Sequence, residues 1–427
     1  MPPARGAPRS AEGAARPALD CPAPPAVPRI VLSGEVWRQS VYRKRITRAD
    51  PQARAGDWVQ TVDPDGRPIG FGLYNPRSEI AVRQVRLGDQ PPDRAYWEGL
   101  CRRAIALRRD LLQLDQVTNA YRVIHAESDG FPGFVVDRFG DVLSGEAFSW
   151  GMFLRGPALL ELLGEVLGTR HWILQTGPAC LSQEGYDSPP QSSPAVPQEV
   201  LIQEFDTRFR VRFAGGHKTG FFCDQRENRQ RLAAFCRDKS VLDLCCYSGG
   251  FAVQAKRLGG AAEVTAVDLD AEPLALAKAN ADLNQVRIRC VQSDAFAFMR
   301  DMLRIGRQFD VVVLDPPKLI RSRAEIDDGT RKHFDLNRLA MQLVAPGGLL
   351  LSCTCAGLLT HEAFRRLLYA AARQAGDAIE DLPAQELPRR GPRTMQILAQ
   401  TGAAPDHPIG SHCPESEYLQ AVWMRLA

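Results

Sequence analysis

The sequence lacks several features that would assign it to a particular class of protein. No apolar run reaches the roughly 18 residues of a membrane span, and the N-terminus has no apolar stretch like that of a signal peptide. The 11 cysteines are scattered over 427 residues without a visible pairing framework, which favours free thiols in a reducing compartment. We therefore expect a cytoplasmic protein with no membrane partner. The net charge of +3 is too small to argue for a nucleic-acid partner by itself.

The length of the chain predicts two or three domains, because a single hydrophobic core rarely grows this large. Residues 1–28 are rich in Pro, Ala, Gly and Arg and predict a disordered tail. An organellar transit peptide is the alternative, which the two acidic residues of this segment weaken. Residues 29–95 contain short alternating β runs and a hairpin turn at Asp63-Pro-Asp-Gly66. Residues 96–197 predict an α+β domain that ends in a Pro/Ser-rich linker.

The β-rich segment 29–95 has a basic bias. A solvated charged surface is the simpler interpretation, and a face that contacts phosphates is the alternative. The basic residues are Arg38, Arg43, Lys44, Arg45, Arg48, Arg54 and Arg67.

Residues 198–427 alternate between strand and helix patterns. Such alternation predicts an α/β domain with a parallel, doubly wound sheet. Ligands of such sheets bind at the carboxyl ends of the strands. The strand candidates are 241–244, 263–268, 287–292, 309–315 and 348–354.

The turn after the first of these strands indicates a nucleoside cofactor. An apolar strand, a small-residue turn with Gly249 and Gly250, and a helix-compatible sequence follow one another. The turn is not Gly-x-Gly-x-x-Gly, because Cys245 and Tyr247 stand where a dinucleotide site prefers glycine. The pyrophosphate of NAD needs bare backbone N–H groups. S-adenosylmethionine (SAM) has no phosphate, so the turn favours SAM over NAD.

Four acidic residues follow four successive strands. Asp243 and Asp268 end the first two strands, and a carboxylate at the second position suits two ribose hydroxyls. Asp294 follows the third strand and is placed to accept an adenine amino group, and Asp315 ends the fourth. Any one of them could be a simple turn or cap residue, but four in register predict a SAM-binding Rossmann domain. A dehydrogenase or a non-binding α/β domain is the alternative.

Two further motifs indicate the chemistry. Asp315-Pro-Pro-Lys318 is a stiff loop whose carbonyls are free to accept hydrogen bonds from an exocyclic amine or a planar base. Cys353 and Cys355 lie on the same side of the next strand, with Cys355 nearer the ligand-binding end. We interpret Cys353 as a buried small residue and Cys355 as a nucleophile. The pair has no further ligands of suitable spacing, so we predict no metal. A thiolate beside a methyl donor suits methylation of pyrimidine C5, since attack at C6 puts electron density on C5.

The motifs together resemble the ribosomal RNA large-subunit methyltransferase I family, over roughly residues 29–427. The members of this family are SAM-dependent enzymes that make 5-methylcytosine in 23S ribosomal RNA. The motifs that carry the resemblance are 216–226, 247–253, 315–318 and 352–357, supported by 127–133, 137–140, 406–408 and 414–419.

The resemblance implies an organisation and a set of site residues. It implies an RNA-binding β-barrel PUA domain at 29–95, a small α+β central domain at 96–197, and a Rossmann-like class I methyltransferase domain at 198–427 with a seven-stranded, mostly parallel sheet. It implies that Cys355 is the nucleophile and that Asp315 holds the cytosine edge. The implied cofactor-binding residues are Asp243, Tyr247, Gly249, Gly250, Asp268, Asp294, Asp224 and Arg226, and the implied substrate-binding residues are Lys218, Pro316, Pro317 and Lys318.

One position departs from a pattern common among RNA cytosine-5 methyltransferases. Many of these enzymes carry a second cysteine where this chain has Lys318, so another group or water must remove the C5 proton. An N- or guanine-directed ribosomal RNA methyltransferase and a non-catalytic ribosomal RNA assembly factor are the alternatives. The sequence leaves open whether the protein is a monomer or a homodimer.

Overall fold

The computed structural model describes residues 19–34, 36, 38–213, 220–375 and 392–427. These residues form two compact units, and the chain passes between them more than once. One unit comprises the residues up to Val200 together with Val211–Phe221 and Asp406–Ser416. The other comprises Leu201–Arg210, Phe222–Pro405 and Glu417–Ala427. In the described part of the chain, no helix is long and apolar enough to cross a membrane.

The first unit contains two β-sheets. The six-stranded sheet has the order β2-β6-β5-β4-β1-β3, and β4 and β5 are joined by the predicted turn, in which Gly66 N–H donates to the Asp63 carbonyl at 3.0 Å. The five-stranded sheet has the order β11-β10-β9-β8-β7. The strands of the first sheet are β1 (Arg29–Leu32), β2 (Ser40–Tyr42), β3 (Ile46–Ala49), β4 (Trp58–Val62), β5 (Pro68–Tyr74) and β6 (Ile80–Leu87). The strands of the second are β7 (Ala120–His125), β8 (Phe134–Phe139), β9 (Val142–Ala147), β10 (His171–Thr176) and β11 (Gln191–Ser192).

Three helices accompany these sheets. They are α1 (Arg94–Ala106), α2 (Trp150–Leu167) and α3 (Cys180–Glu184). The first two begin at capping side chains: Asp93 accepts from the Tyr96 N–H, and Ser149 accepts from the Met152 N–H. Their apolar faces join one buried cluster with the inner faces of the sheets.

The prediction of a disordered tail through residue 28 is wrong for residues 19–28. Leu19, Cys21 and Val27 are buried in the main core of the first unit. The Leu19 carbonyl accepts a hydrogen bond from the Trp97 indole at 3.1 Å. These isolated apolar side chains were too few to give a pattern, but together they cover a large buried tryptophan. Residues 1–18 lie outside the described part of the chain.

The segment Asp406–Ser416 belongs to the first unit, although the sequence pattern grouped it with residues 198–427. Two buried polar contacts hold it there. The Arg108 guanidinium donates to the Asp406 carbonyl at 2.6 Å, and the Asp406 carboxylate accepts from the Arg122 N–H at 2.8 Å. Arg108 also forms a two-fold hydrogen bond with the carboxylate of Asp129.

The second unit is built on a seven-stranded sheet of order β16-β15-β14-β17-β18-β20-β19, in which β20 runs antiparallel to both of its neighbours, β18 and β19. This agrees with the predicted mostly parallel sheet. Before it, β12 (Glu199–Glu204) and β13 (Thr207–Arg212) form a hairpin. The sheet strands are β14 (Ser240–Leu244), β15 (Glu263–Asp268), β16 (Arg289–Gln292), β17 (Phe309–Leu314), β18 (Val344–Thr354), β19 (Met395–Thr401) and β20 (Gln420–Leu426). The helices are α4 (Arg226–Ala233), α5 (Gly250–Arg257), α6 (Ala271–Leu283), α7 (Ala295–Arg304), α8 (Ile326–Leu343) and α9 (His361–Arg373).

A buried ion pair fixes α4 within the second unit. Arg229 donates to both carboxylate oxygens of Glu204, at 2.7 and 2.6 Å, and both side chains are at most 3% exposed. The Gln254 amide of α5 donates to the same carboxylate at 2.6 Å. A buried charge needs such complete pairing, because its hydration is lost.

We expect Arg229→Met to lower the free energy of unfolding by about 3–5 kcal/mol, because it leaves the Glu204 charge buried without its partner. Adding Glu204→Gln should recover most of this loss, since no charge then remains buried and Gln254 keeps its acceptor. Chemical denaturation measures both changes.

The matched control is Arg304→Ala, which removes an exposed arginine paired with Asp301 and should cost less than about 1 kcal/mol. An Arg229→Met variant no less stable than this control would show that the buried pair does not hold the unit together.

Candidate active site

The register of the parallel strands brings four predicted site segments to one edge of the sheet. Leu244 at the end of β14 pairs with Val267 on one side and with Leu314 on the other, and Leu314 pairs with Ser352 of β18. The loops after β14, β15, β17 and β18 therefore begin at nearly the same level. These loops carry the predicted cofactor and catalytic residues.

The loop after β14 takes an unusual backbone path. Cys245, Tyr247 and Gly249 all have positive φ, at 60°, 50° and 77°. This conformation is costly for the two residues with side chains, so surrounding contacts must hold it. A Cβ on Gly249 would lie 2.9 Å from the Cβ of Ala277 in α6, so only glycine fits there. The positions where a dinucleotide site prefers glycine thus have glycine-like backbone angles in this chain.

Asp268 supplies one of the contacts that hold the loop. Its carboxylate accepts from the Tyr247 N–H at 2.8 Å and from the Asp270 N–H at 3.1 Å. The Tyr247 ring also packs edge-on against Phe222, with ring centroids 5.0 Å apart. Sequence reasoning assigned Asp268 to a ribose only, and its part in shaping the loop could not be read from the spacing.

Asp243 is buried beneath the same loop. Its Oδ2 accepts from the Ala252 N–H of α5 at 3.0 Å. Its Oδ1 is buried and has no hydrogen-bond partner among the described residues. Burial raises the pKa of this carboxyl to about 8, the negative charges of Asp315 and Asp268 act in the same direction, and the Ala252 hydrogen bond opposes them.

Asp294 caps a helix. Its side chain accepts from the Ala297 N–H at 3.0 Å, at the start of α7. A strand-end aspartate of this kind has a structural use whether or not it also contacts a ligand. Its proposed contact with adenine stays a prediction.

Asp315 follows β17 and is held by Gln225, which was not among the predicted site residues. The Gln225 amide donates to Asp315 Oδ2 at 3.0 Å. Gln225 belongs to a 3₁₀ turn, Cys223–Gln225, that leads into α4. In the loop that follows Asp315, Pro316 is buried, whereas Pro317 and Lys318 are exposed.

The two cysteines of β18 differ in their surroundings. Cys353 is fully buried, and burial holds the pKa of its thiol well above its ordinary value, with the charge of Asp315 adding to the effect. Cys355 lies one residue beyond the end of the strand and is half-buried. A reactive thiol must be reachable, so this arrangement favours Cys355 over Cys353 as the nucleophile.

A buried histidine supports the end of β18. His333 Nε2 lies 3.1 Å from the Thr354 hydroxyl, which also accepts from the Ala356 N–H at 3.2 Å. Burial lowers the pKa of His333 to about 4, so the ring is neutral near pH 7. These contacts fix the backbone on both sides of Cys355. A lone histidine in a helix pattern gave no signal for this contact.

The predicted segment around 216–226 is described only in part. Lys218 lies outside the described residues. Asp224 accepts from the Tyr418 hydroxyl at 2.6 Å, and Arg226 is fully buried with its guanidinium 3.0 Å from the Glu227 carboxylate. Both therefore take part in partly buried polar contacts of the second unit, and their contact with a cofactor stays a prediction.

Comparison with known proteins identifies two parts of the chain. A family model described as S-adenosylmethionine-dependent methyltransferase matches residues 169–380, and one described as PUA-like domain matches residues 31–86. These matches confirm the predicted class of fold and the predicted cofactor, SAM.

Curated proteins similar to this chain span nearly its whole length. Three of them bear the name ribosomal RNA large subunit methyltransferase I. The protein of Tolumonas auensis is 34% identical over 90% of this chain and 94% of its own length. That of Vibrio cholerae is 32% identical over 89% of this chain and 93% of its own length. That of Klebsiella pneumoniae is 32% identical over 93% of this chain and 98% of its own length.

Two solved structures share the fold. A methyltransferase crystallised with SAH has a TM-score of 0.72 at 19% identity and covers 91% of this chain and 96% of its own. A SAM-dependent methyltransferase from Streptococcus mutans has a TM-score of 0.72 at 18% identity and covers 93% of this chain and 99% of its own.

The residues of the site suit SAM. Asp243 Oδ1 is buried without a hydrogen-bond partner among the described residues, so it can accept from an N–H donor of a ligand. Gly249 lets the loop backbone pass close to α6 without a side chain in the way. Asp243, Asp268 and the loop between them would hold the cofactor, which supplies an electrophilic methyl group on a cationic sulfur.

The raised pKa of Asp243 gives a prediction for stability. A carboxyl whose pKa is about 8 when folded and about 4 when unfolded stabilises the folded state fully only below pH 4, and this contribution is lost as pH rises through 8. We expect the wild-type protein without ligand to lose stability relative to Asp243→Asn between about pH 4 and 8. Denaturation of both proteins across this range measures the difference. A difference that does not depend on pH would show that Asp243 ionises as an ordinary carboxyl.

Proposed function

The chain belongs to the ribosomal RNA large subunit methyltransferase I family, and from this premise we propose that it methylates C5 of a cytosine in large-subunit ribosomal RNA through a covalent adduct between Cys355 and C6. The protein is a SAM-dependent methyltransferase. The name of its relatives supports ribosomal RNA as the substrate. The relatives' names give no support for a homodimer.

The observation that carries the proposal is the pairing of a reachable thiol with a fixed carboxylate. Cys355 and Asp315 follow the neighbouring parallel strands β18 and β17. Cys355 is half-buried, and Asp315 is held by Gln225 at 3.0 Å. N-methylation of an exocyclic amine needs an acceptor like Asp315 but has no use for a thiol beside it.

Cys355 acts as the nucleophile in this mechanism. Its thiolate forms a bond to C6 of the cytosine, and the electron pair of the C5–C6 double bond becomes available at C5. C5 then forms a bond to the methyl group. The methyl–sulfur bond of the donor breaks, and its electron pair stays on the sulfur. A base then takes the C5 proton, the C5–C6 double bond forms again, and the thiolate leaves. Lys318 stands where many related enzymes have a second cysteine, so this base is another group or water.

Asp315 orients the base for this attack. Its carboxylate accepts a hydrogen bond from the exocyclic amine of the cytosine and so holds C6 toward Cys355. Pro316 and Pro317 lack N–H groups and keep the loop stiff. Lys318 is exposed and, with Lys218, is suited to contact a phosphate of the RNA.

The PUA-like domain supplies a surface for the RNA. Its family model covers residues 31–86. Several arginines and a lysine there are exposed, as a phosphate-contacting face requires. They are Arg38, Arg43, Lys44, Arg48, Arg54 and Arg67.

We expect Cys355→Ala to lower methyl transfer by about three orders of magnitude or more, because it removes the nucleophile. The wild-type protein should form a covalent adduct with ribosomal RNA that contains 5-fluorocytosine, since fluorine at C5 cannot leave as a proton does. Methyl transfer is measured with radiolabelled SAM, and the adduct by denaturing gel electrophoresis.

The matched control is Cys353→Ala, which changes the buried cysteine of the same strand and should keep most of the activity and the adduct. Wild-type activity in Cys355→Ala would refute the covalent mechanism and favour an N- or guanine-directed enzyme. Absence of both methyl transfer and SAM binding in the wild-type protein would favour a non-catalytic assembly factor.

A further inference from the structure

We propose that Gln225 is a positioning residue that fixes Asp315 as a hydrogen-bond acceptor, and that Trp423 on β20 sets the orientation of Gln225 through Asn228 and Thr401. This inference rests on the proposed function in so far as Asp315 holds the target base. It assigns a role to Asn228, Thr401 and Trp423, which lie outside the motifs of the resemblance, and a defined role to Gln225 within the motif 216–226.

The four side chains form a continuous hydrogen-bonded chain that ends at Asp315. The Trp423 indole lies 2.9 Å from the Thr401 hydroxyl, which lies 2.7 Å from Asn228 Oδ1. The Asn228 amide nitrogen lies 2.7 Å from Gln225 Oε1, and the Gln225 amide nitrogen lies 3.0 Å from Asp315 Oδ2. All five residues belong to the second unit.

The groups at its two ends favour one direction for this chain. An indole N–H can only donate, so the Thr401 hydroxyl accepts from it, and its own proton can point to Asn228 Oδ1. An ionised Asp315 can only accept, so the Gln225 nitrogen faces it and the Gln225 oxygen faces the Asn228 nitrogen. Amide groups are ambiguous when viewed alone, but the two ends of the chain together orient both amides.

A second contact supports the orientation of Asn228. Its amide nitrogen also donates to the Gly402 carbonyl at 3.2 Å, so both of its N–H groups have acceptors. Turning this amide over would place its oxygen against two oxygens and its nitrogen against a donor. Asn228 and Gln225 are 2% and 3% exposed, so water does not compete freely for these hydrogen bonds.

The orientation matters at Asp315. A donor aimed at Oδ2 favours the ionised carboxylate, because a proton on that oxygen would meet the Gln225 N–H. The carboxylate plane is fixed as well, and the amine of a bound base then meets an acceptor of defined direction.

Several other titratable groups act on this part of the site. Asp315 interacts electrostatically with Asp243 of β14, Cys245 of the following loop and Cys353 of β18, and Asp224 lies near Cys353. Lys318 follows on the same loop. These groups stay unchanged in the variants below, so a difference between variants and wild type isolates the hydrogen-bonded chain.

Thr401→Val tests the proposal at a distance from the substrate, because it keeps the shape of the side chain and removes the hydroxyl. We expect kcat for ribosomal RNA methylation to fall by about tenfold to a hundredfold, with the affinity for SAM unchanged in calorimetry. The acidic limb of the pH profile of kcat/KM should move to higher pH, since a weaker donor makes Asp315 easier to protonate.

Gln225→Glu tests the same step directly and keeps the size of the side chain. It replaces the donor by a second carboxyl group, so the acidic limb should move upward by about one pH unit, further than in Thr401→Val. The matched control is Thr265→Val, which makes the same change at a buried threonine of β15 and should leave the limb in place. Thermal unfolding checks that each variant is folded at the assay temperature.

An unmoved acidic limb in both Thr401→Val and Gln225→Glu would overturn the inference, even if the rate falls, because a merely structural role lowers the rate without moving the limb. The proposed function fails by a different observation, namely methyl transfer by Cys355→Ala or a product other than 5-methylcytosine. A moved limb together with another methylated product would keep the role of Gln225 and reject the proposed reaction.

Discussion

The parallel pairing of β14 with β15 and β17 is the constraint on which the site depends. These strands are buried on both faces and are therefore apolar along most of their length. Polar chemistry can appear only where they end, and the register makes neighbouring ends coincide. Asp243 is the exception, since it is the next-to-last residue of β14 and is buried there. The fold tolerates the burial of this polar carboxyl group because the Ala252 N–H of α5 donates a hydrogen bond to one oxygen, and a ligand can donate to the other.

Much of this arrangement could be predicted from the sequence. The order of apolar strand, small turn and helix predicted the cofactor loop, and strand-end positions predicted Asp268 and Asp315. The difference between Cys353 and Cys355 followed from the position of Cys355 nearer the ligand-binding end of the strand, and Cys355 is the less buried of the two. These features depend on neighbours in sequence or on the regular geometry of a sheet, which a pattern can reveal.

Other features could not be predicted, because they depend on contacts between residues far apart in the chain. Gln225 and Trp423 are linked through Thr401 of β19 and Asn228 of α4, which the pairing of β19 with β20 and the packing of α4 bring together. The positive φ of Cys245 and Tyr247 contradicts the usual preference of these residues, and no sequence rule would assign it. Residues 19–28 are ordered by the burial of Leu19, Cys21 and Val27, too few side chains to give a periodic signal.

The division of the chain between the two units has a consequence for its synthesis. The first unit includes Asp406–Ser416, whose Asp406 pairs with Arg108 and Arg122. A ribosome that makes the chain from its N-terminus releases this segment only after residues 222–405 of the second unit. Until then Arg108 lacks the Asp406 carbonyl as an acceptor, so the unit begun first is completed only after most of the second unit has been made. Folding during translation therefore cannot proceed strictly one domain after another in this protein.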